Sequence, residues 1–262
     1  MPYLNVNDTT LYYEDDGAGQ PLLFLHGWGT SGRVWSAQQP EFVTDHRVVV
    51  VDWRGCGRSD HPAAGNTVDD VVADLAGLIH ALDLHRPVVI GSSIGALFAT
   101  ELGLRHPDLI GGVVPVDGPA YWPSQGMDLD AIIASIRADR TGFLARWVPN
   151  WFAPGTSPVL IDWTIRQILD SGTFVENHFG EVVSYDPRPA LPGLRVPVHY
   201  LHGELDAEIP LAVARECAAL TPGAQVTAVP GAGHMVQQER PVEFNAALRA
   251  ALATMHAHAH AA

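Results

Sequence analysis

The sequence predicts an α/β fold in which a mostly parallel central sheet is flanked by helices, with a small helical insertion late in the chain. Short apolar, β-branched runs recur between glycine- and proline-rich breaks, and patterns of helical period fill the gaps. One long stretch lacks strands altogether. Strand–helix alternation of this kind marks a parallel sheet, whose crossover connections are helices.

Strands are expected at residues 10–14, 21–26, 47–52, 87–90, 112–117, 196–202 and 225–229. Several are apolar without alternation, as in Val48-Val49-Val50-Val51, which suits strands buried on both faces. Between 67 and 84, Val68, Val71, Val72, Leu75, Ile79 and Leu82 form one stripe at helical spacing, with Thr67 and Asp70 as an N-terminal cap. Residues 94–105 and 241–255 also read as helices, the second on Val242, Phe244, Leu248 and Leu252. The alternation fails from about Pro119 to Pro189. Two helical patterns, 128–147 and 159–169, lie there with Trp122, Trp147, Trp151 and Trp163, four of the seven tryptophans. The expected division is a core of residues 1–118 and 190–255, a helical cap or lid over 119–189, and a disordered tail at 256–262. That tail alternates histidine and alanine, with too little apolar surface to fold alone.

The chain has 262 residues, 47% of them apolar and 17% charged, which is ordinary for a soluble enzyme. Its net charge of −14 opposes nucleic-acid binding and an anionic membrane surface. No signal-peptide pattern opens the sequence and no apolar run reaches membrane-spanning length. Cys56 and Cys217 do not imply a disulfide framework. A cytoplasmic enzyme acting on a small-molecule substrate is the expectation, with homo-oligomer formation left open.

The strongest local motif is Gly91-Ser92-Ser93-Ile94-Gly95, set between an apolar strand and a helix-forming run. A nucleophile on a tight strand-to-helix turn needs small neighbours two positions away, and the helix start offers amides to a developing oxyanion. Ser93 is therefore the candidate nucleophile. A serine hydroxyl needs a base, and His234, in Gly231-Ala232-Gly233-His234-Met235 after the last strand, is the best placed of 13 histidines. The imidazole in turn needs an acid. Asp206 follows the penultimate strand in His202-Gly203-Glu204-Leu205-Asp206, while Asp117 at the end of an earlier strand is a rival. The order Ser93, Asp206, His234 suits this architecture. The Trp28 amide, in His26-Gly27-Trp28-Gly29, would join that of Ile94 in an oxyanion hole. Asp52-Trp53-Arg54-Gly55-Cys56-Gly57-Arg58-Ser59 reads as a structural turn. It lacks the Gly-Lys-Ser/Thr ending of a phosphate loop.

Together these motifs resemble the α/β-hydrolase superfamily over nearly the whole length, in particular small bacterial esterases and cofactor-free haloperoxidase-like members. The resemblance implies the α/β-hydrolase fold, a Ser93–His234–Asp206 triad and hydrolysis of a carboxylic ester or lactone of a small, largely apolar substrate. No metal and no organic cofactor is implied. Trp28, Trp122, Trp147, Trp151, Trp163 and Met235 are the candidate pocket residues. Similar dehalogenases and epoxide hydrolases use aspartate where this chain has Ser93. Perhydrolase-like relatives carry proline where it has Gly29. Carbon–carbon bond hydrolysis and perhydrolysis on the same triad remain alternatives, as does a receptor-like binder that holds a ligand without turnover.

Overall fold

The computed structural model describes residues 2–118, 121 and 128–259. Eight strands run as β1 (Tyr3–Val6), β2 (Thr9–Gly17), β3 (Gln20–Leu25), β4 (His46–Asp52), β5 (Val88–Ser92), β6 (Gly112–Val116), β7 (His199–Gly203) and β8 (Gln225–Val229). They form one sheet in the order β1-β2-β4-β3-β5-β6-β7-β8. The β1–β2 and β2–β4 pairs are antiparallel, and every pair from β4 onward is parallel. All residues of β5 and β6 are buried, and only the first residue of β3 escapes full burial. Their unbroken apolar character follows from cover on both faces.

The helices are α1 (Gln39–Phe42), α2 (Val68–Ala81), α3 (Ile94–Arg105), α4 (Leu129–Ala138), α5 (Arg140–Trp147), α6 (Pro158–Leu169), α7 (Asn177–Ser184), α8 (Leu211–Leu220), α9 (Val236–Glu239) and α10 (Pro241–Ala259). At the start of α2 the Thr67 hydroxyl accepts from the Asp70 amide at 3.1 Å, and the Asp70 carboxylate accepts from the Thr67 amide at 3.0 Å. This reciprocal cap contributes about 1 kcal/mol. Helices α4 to α7 all fall between β6 and β7, the stretch where the sequence lacks strands.

Several boundaries differ from expectation. The edge strand β1 was not anticipated, because it is only four residues long and two of them, Tyr3 and Asn5, are exposed. The strand expected from 196 starts at His199, since Pro197 has no amide to give to the ladder. The helix expected over 128–147 is two helices. Asp139 breaks it with an extended backbone, and its carboxylate caps α5 by accepting from the Gly142 amide at 2.8 Å. Helices α7 and α8 were not anticipated either. The last helix continues to Ala259, so the tail expected to be disordered begins as helix, while 260–262 lie outside the described residues.

The chain leaves β3 toward β4 on one side, and the next strand, β5, pairs on the other. This reversal is a topological switch point, where open α/β sheets form a crevice beyond the strands' carboxyl ends. The Asp52 turn packs beside the segment that follows β3. The Asp52 carboxylate accepts from the Gly32 amide at 2.6 Å and the Arg58 amide at 2.9 Å. The buried Arg54 guanidinium is held by Asp74 at 2.6 and 2.9 Å. Among the described residues, no helix is long and apolar enough to cross a membrane.

Candidate active site

Ser93 stands between β5 and α3 with φ 54° and ψ −121°. A non-glycine residue held there costs about 1–3 kcal/mol. The turn closes because a Cβ on Gly91 would lie 2.1 Å from the Gly95 carbonyl oxygen, and one on Gly95 would lie 2.7 Å from that of His26. Only glycine fits at both positions. The Ser93 amide donates to the Val116 carbonyl at 2.8 Å, tying the strained turn to β6.

His234 follows β8 and meets the serine from the other side. Its Nε2 lies 3.1 Å from Ser93 Oγ, and its Nδ1 lies 2.8 Å from Asp206 Oδ2. With a carboxylate beyond it, Nδ1 carries the proton, which leaves Nε2 to accept from the hydroxyl. The other oxygen of Asp206 accepts from the amides of Glu208 and Ile209, each at 2.9 Å. All three side chains are buried. Burial alone would raise the Asp206 pKa, but the His234 charge and hydrogen bonds from His202 and His234 hold it well below the usual range. Burial alone would lower that of His234, and the Asp206 charge and hydrogen bond outweigh it, leaving it raised. Each partner stabilises the charged form of the other.

The rival acid does a different job. The Asp117 carboxylate accepts from the Gly203 amide at 2.6 Å and the Val236 amide at 3.0 Å, linking β6 to β7 and to α9. Burial pushes its pKa well up.

The loop after β3 crosses directly over the serine. A Cβ on Gly27 would sit 3.3 Å from Ser93 Cβ, which puts the Trp28 backbone beside the nucleophile. Ile94, opposite, opens α3, where amides have no partner from a preceding turn. His26 stiffens the loop. Its Nδ1 donates to the Gly27 carbonyl at 2.8 Å, its Nε2 accepts from the Trp53 amide at 3.3 Å, and its ring stacks on Trp53. Burial lowers its pKa to about 4, so it stays neutral in this role.

Comparison with known proteins establishes the family. The profile of the alpha/beta hydrolase family matches residues 22–247. The chain belongs to the alpha/beta hydrolase family. A non-heme chloroperoxidase of Streptomyces lividans is 30% identical over 259 residues, covering 90% of this chain and 94% of that one. The structure of a thermophilic esterase from Thermogutta terrifontis is 28% identical with TM-score 0.87, covering 95% and 94%. The enol-lactonase of Burkholderia xenovorans is 25% identical with TM-score 0.89, covering 96% and 100%.

In this hydrolase a small cleft opens onto the serine. Ser93, His234, Gly27 and Thr30 form its floor, and Trp28, Trp147, Trp151, Met235 and Glu208 its walls. The tryptophans make one chain of contacts: Trp28 to Trp147 at 5.8 Å, Trp147 to Trp151 at 5.1 Å, and Trp151 to His234 at 6.0 Å between ring centres. Of the expected pocket residues, Trp28, Trp147, Trp151 and Met235 line this cleft, and Trp122 lies outside the described residues. Trp163 does not line it. The buried face of α6 carries Thr164, Gln167 and Ile168, and the half-buried Trp163 is turned about 100° from its neighbour Thr164.

The sequence reading missed three further groups. Glu208 lines the cleft, and a lone glutamate in a turn carries no sequence signal. Glu239 joins the His234 loop to the insertion, accepting from the Gly233 amide at 3.0 Å and the Ala153 amide at 2.8 Å. Asp117, His202 and Asp206 bring potential metal-ligand atoms within 4.8 Å of one another, with Asp117 far from the other two in sequence. Both Asp117 oxygens accept amides, Asp206 serves His234, and His202 Nε2 donates to the Ile209 carbonyl at 2.8 Å. These atoms are committed to hydrogen bonds that hold the site together.

Proposed function

We propose that this alpha/beta hydrolase is a serine esterase or lactonase that cleaves a small, largely apolar carboxylic ester through an acyl-enzyme. The observation that carries this reading is the unbroken relay from Asp206 through His234 to Ser93, with both links within hydrogen-bond distance. Ser93 Oγ attacks the ester carbonyl as its proton passes to His234 Nε2, and Asp206 stabilises the imidazolium. The Trp28 and Ile94 amides receive the tetrahedral oxyanion. His234 returns the proton to the leaving alcohol, and the ester bond breaks. A water deprotonated by His234 then releases the acid and regenerates Ser93.

The indole walls of the cleft support an apolar acyl or alcohol part, since such surfaces favour it at small entropy cost. The likeness to an esterase and an enol-lactonase supports ester or lactone chemistry. Perhydrolysis is disfavoured by one observation. Gly29 has φ 66°, which the proline of perhydrolase-like relatives cannot adopt. Residues 119–189 act in this reading as a cap, with 1–118 and 190–255 as the core. A screen over esters, lactones and amides of graded acyl length, with and without a serine-directed phosphonate, tests the reading. Ester cleavage lost on phosphonylation of Ser93 is expected. A phosphonate-insensitive activity, or none, overturns it.

A further inference from the structure

The cleft holds a charge that the proposed chemistry does not use. Glu208 lies in its wall, two residues beyond Asp206, and is half-buried. Its carboxylate is close enough to the Trp147 indole, another lining residue, for that group to favour the charged acid. The acid therefore stands beside the tryptophan ladder, in the same cleft as Ser93 and His234. A carboxylate offers about four acceptor positions to an incoming donor. Among the described residues that line the cleft, Glu208 is the only carboxylate, and none is lysine or arginine. The whole chain, at −14, adds a field of the same sign.

We propose that Glu208 is a specificity-determining residue that selects substrates carrying a hydrogen-bond donor, above all an ammonium group, and rejects substrates carrying a carboxylate. The proposal rests on the cleft being the substrate site, as in the reading above. The physical reason is asymmetry. A donor entering beside Trp147 finds a charged acceptor in a partly desolvated wall, where hydrogen bonds to charged groups are strongest. An anion entering there meets a like charge, with no lysine or arginine in the lining to offset it. Burial raises the Glu208 pKa, as expected for a carboxylate kept in apolar surroundings until a partner arrives. The apolar cleft and the acid together describe an amphiphilic substrate, with the ester near Ser93 and a donor group set against Trp147.

The test compares three matched ligands, n-butylammonium, 1-butanol and butyrate, binding by calorimetry to wild type and Glu208→Gln. Three esters bearing the same ends, ammonium, methyl and carboxylate, are then hydrolysed by both proteins. Wild type should favour ammonium over carboxylate by about 10-fold or more in both assays, and Glu208→Gln should lose most of that ratio. A ratio unchanged by the substitution overturns the proposal. So does an equal loss on all three esters, which would mean that Glu208 acts through His234. If neither protein cleaves any ester, the esterase reading falls, and the calorimetric ratio still decides the role of Glu208.

Discussion

The amide of His234 donates to the carbonyl of Trp151 at 2.7 Å, so the loop that presents the imidazole is fastened to the helical insertion. The two residues also stand ring against ring, with centres 6.0 Å apart. Glu239 doubles the link. Besides the Gly233 and Ala153 amides, it accepts from the Met235 amide at 3.3 Å and the Thr156 hydroxyl at 3.0 Å. The insertion and the histidine loop are therefore one structural unit.

Cutting that unit should cost both stability and turnover. Glu239→Ala leaves backbone donors on both sides without an acceptor, a loss of about 1–3 kcal/mol. A lowered Tm together with a lowered kcat is the expected result. An unchanged kcat with a lowered Tm would show that His234 is held without the clamp.

The two acids should separate cleanly. Asp206→Asn is expected to lower kcat by about 10^4, because the imidazole loses the partner that sets its tautomer. Asp117→Asn should act mainly on stability. An amide can accept through only one of its two ends, so the Gly203 or Val236 amide loses its acceptor. Paired kcat and Tm measurements check this, and a reversed ranking would move the triad acid to Asp117.

Ser93→Ala should abolish turnover, with a loss on the order of 10^6. Ser93→Gly should lose it equally yet melt higher than the alanine variant. Glycine adopts φ 54° without strain, a relief of about 1 kcal/mol. Equal melting temperatures would show that the turn is not strained.

The pH profile should report the relay. His234 must be neutral to act as base, and Asp206 raises its pKa against the effect of burial. Activity should therefore fall on the acid side through a value above the ordinary 6.5. In Asp206→Asn the raising charge is gone while burial remains, so that limb should move to lower pH. Stability has its own signs. The raised His234 contributes fully below 6.5, and its contribution is lost as pH rises through its folded value. The depressed Asp206 contributes above 3.8, and its share is lost as pH falls through its folded value. Their joint contribution to Tm should be largest between those two pH values.

Activity should survive a chelator. An ion at Asp117, His202 and Asp206 would have to displace the amide bonds and the His234 contact that these atoms already make. Chelator-sensitive kcat/KM would point to metal assistance and undercut the relay.

Trp147→Ala and Trp151→Ala should shift the preference between long and short acyl chains by about 10–200-fold, whereas Trp163→Ala should not. All three line or flank apolar surface, so melting curves must accompany the chain-length profiles. Stability losses without any change of profile would make the tryptophans packing groups only.

The sequence by itself determined whatever depends on local chemistry. Val48–Val51, the Thr67–Asp70 cap and the glycines around Ser93 each carry their structural consequence within a few residues. The order of Ser93, Asp206 and His234 along the strands was legible for the same reason, since each follows a strand of an alternating pattern. Only the tertiary structure shows that Asp206, and not Asp117, contacts His234. Both follow strands closely, and they differ in which carboxylate reaches His234 and which is consumed by the amides of Gly203 and Val236. It also decided that Trp147 and Trp151 face the serine while Trp163 turns away, because a helix shows its register only against what packs on it. Glu208 and Glu239 were silent in the sequence. A single glutamate has no periodicity, and its role comes from partners distant in the chain or, as with Glu208 beside Trp147, brought together only by packing.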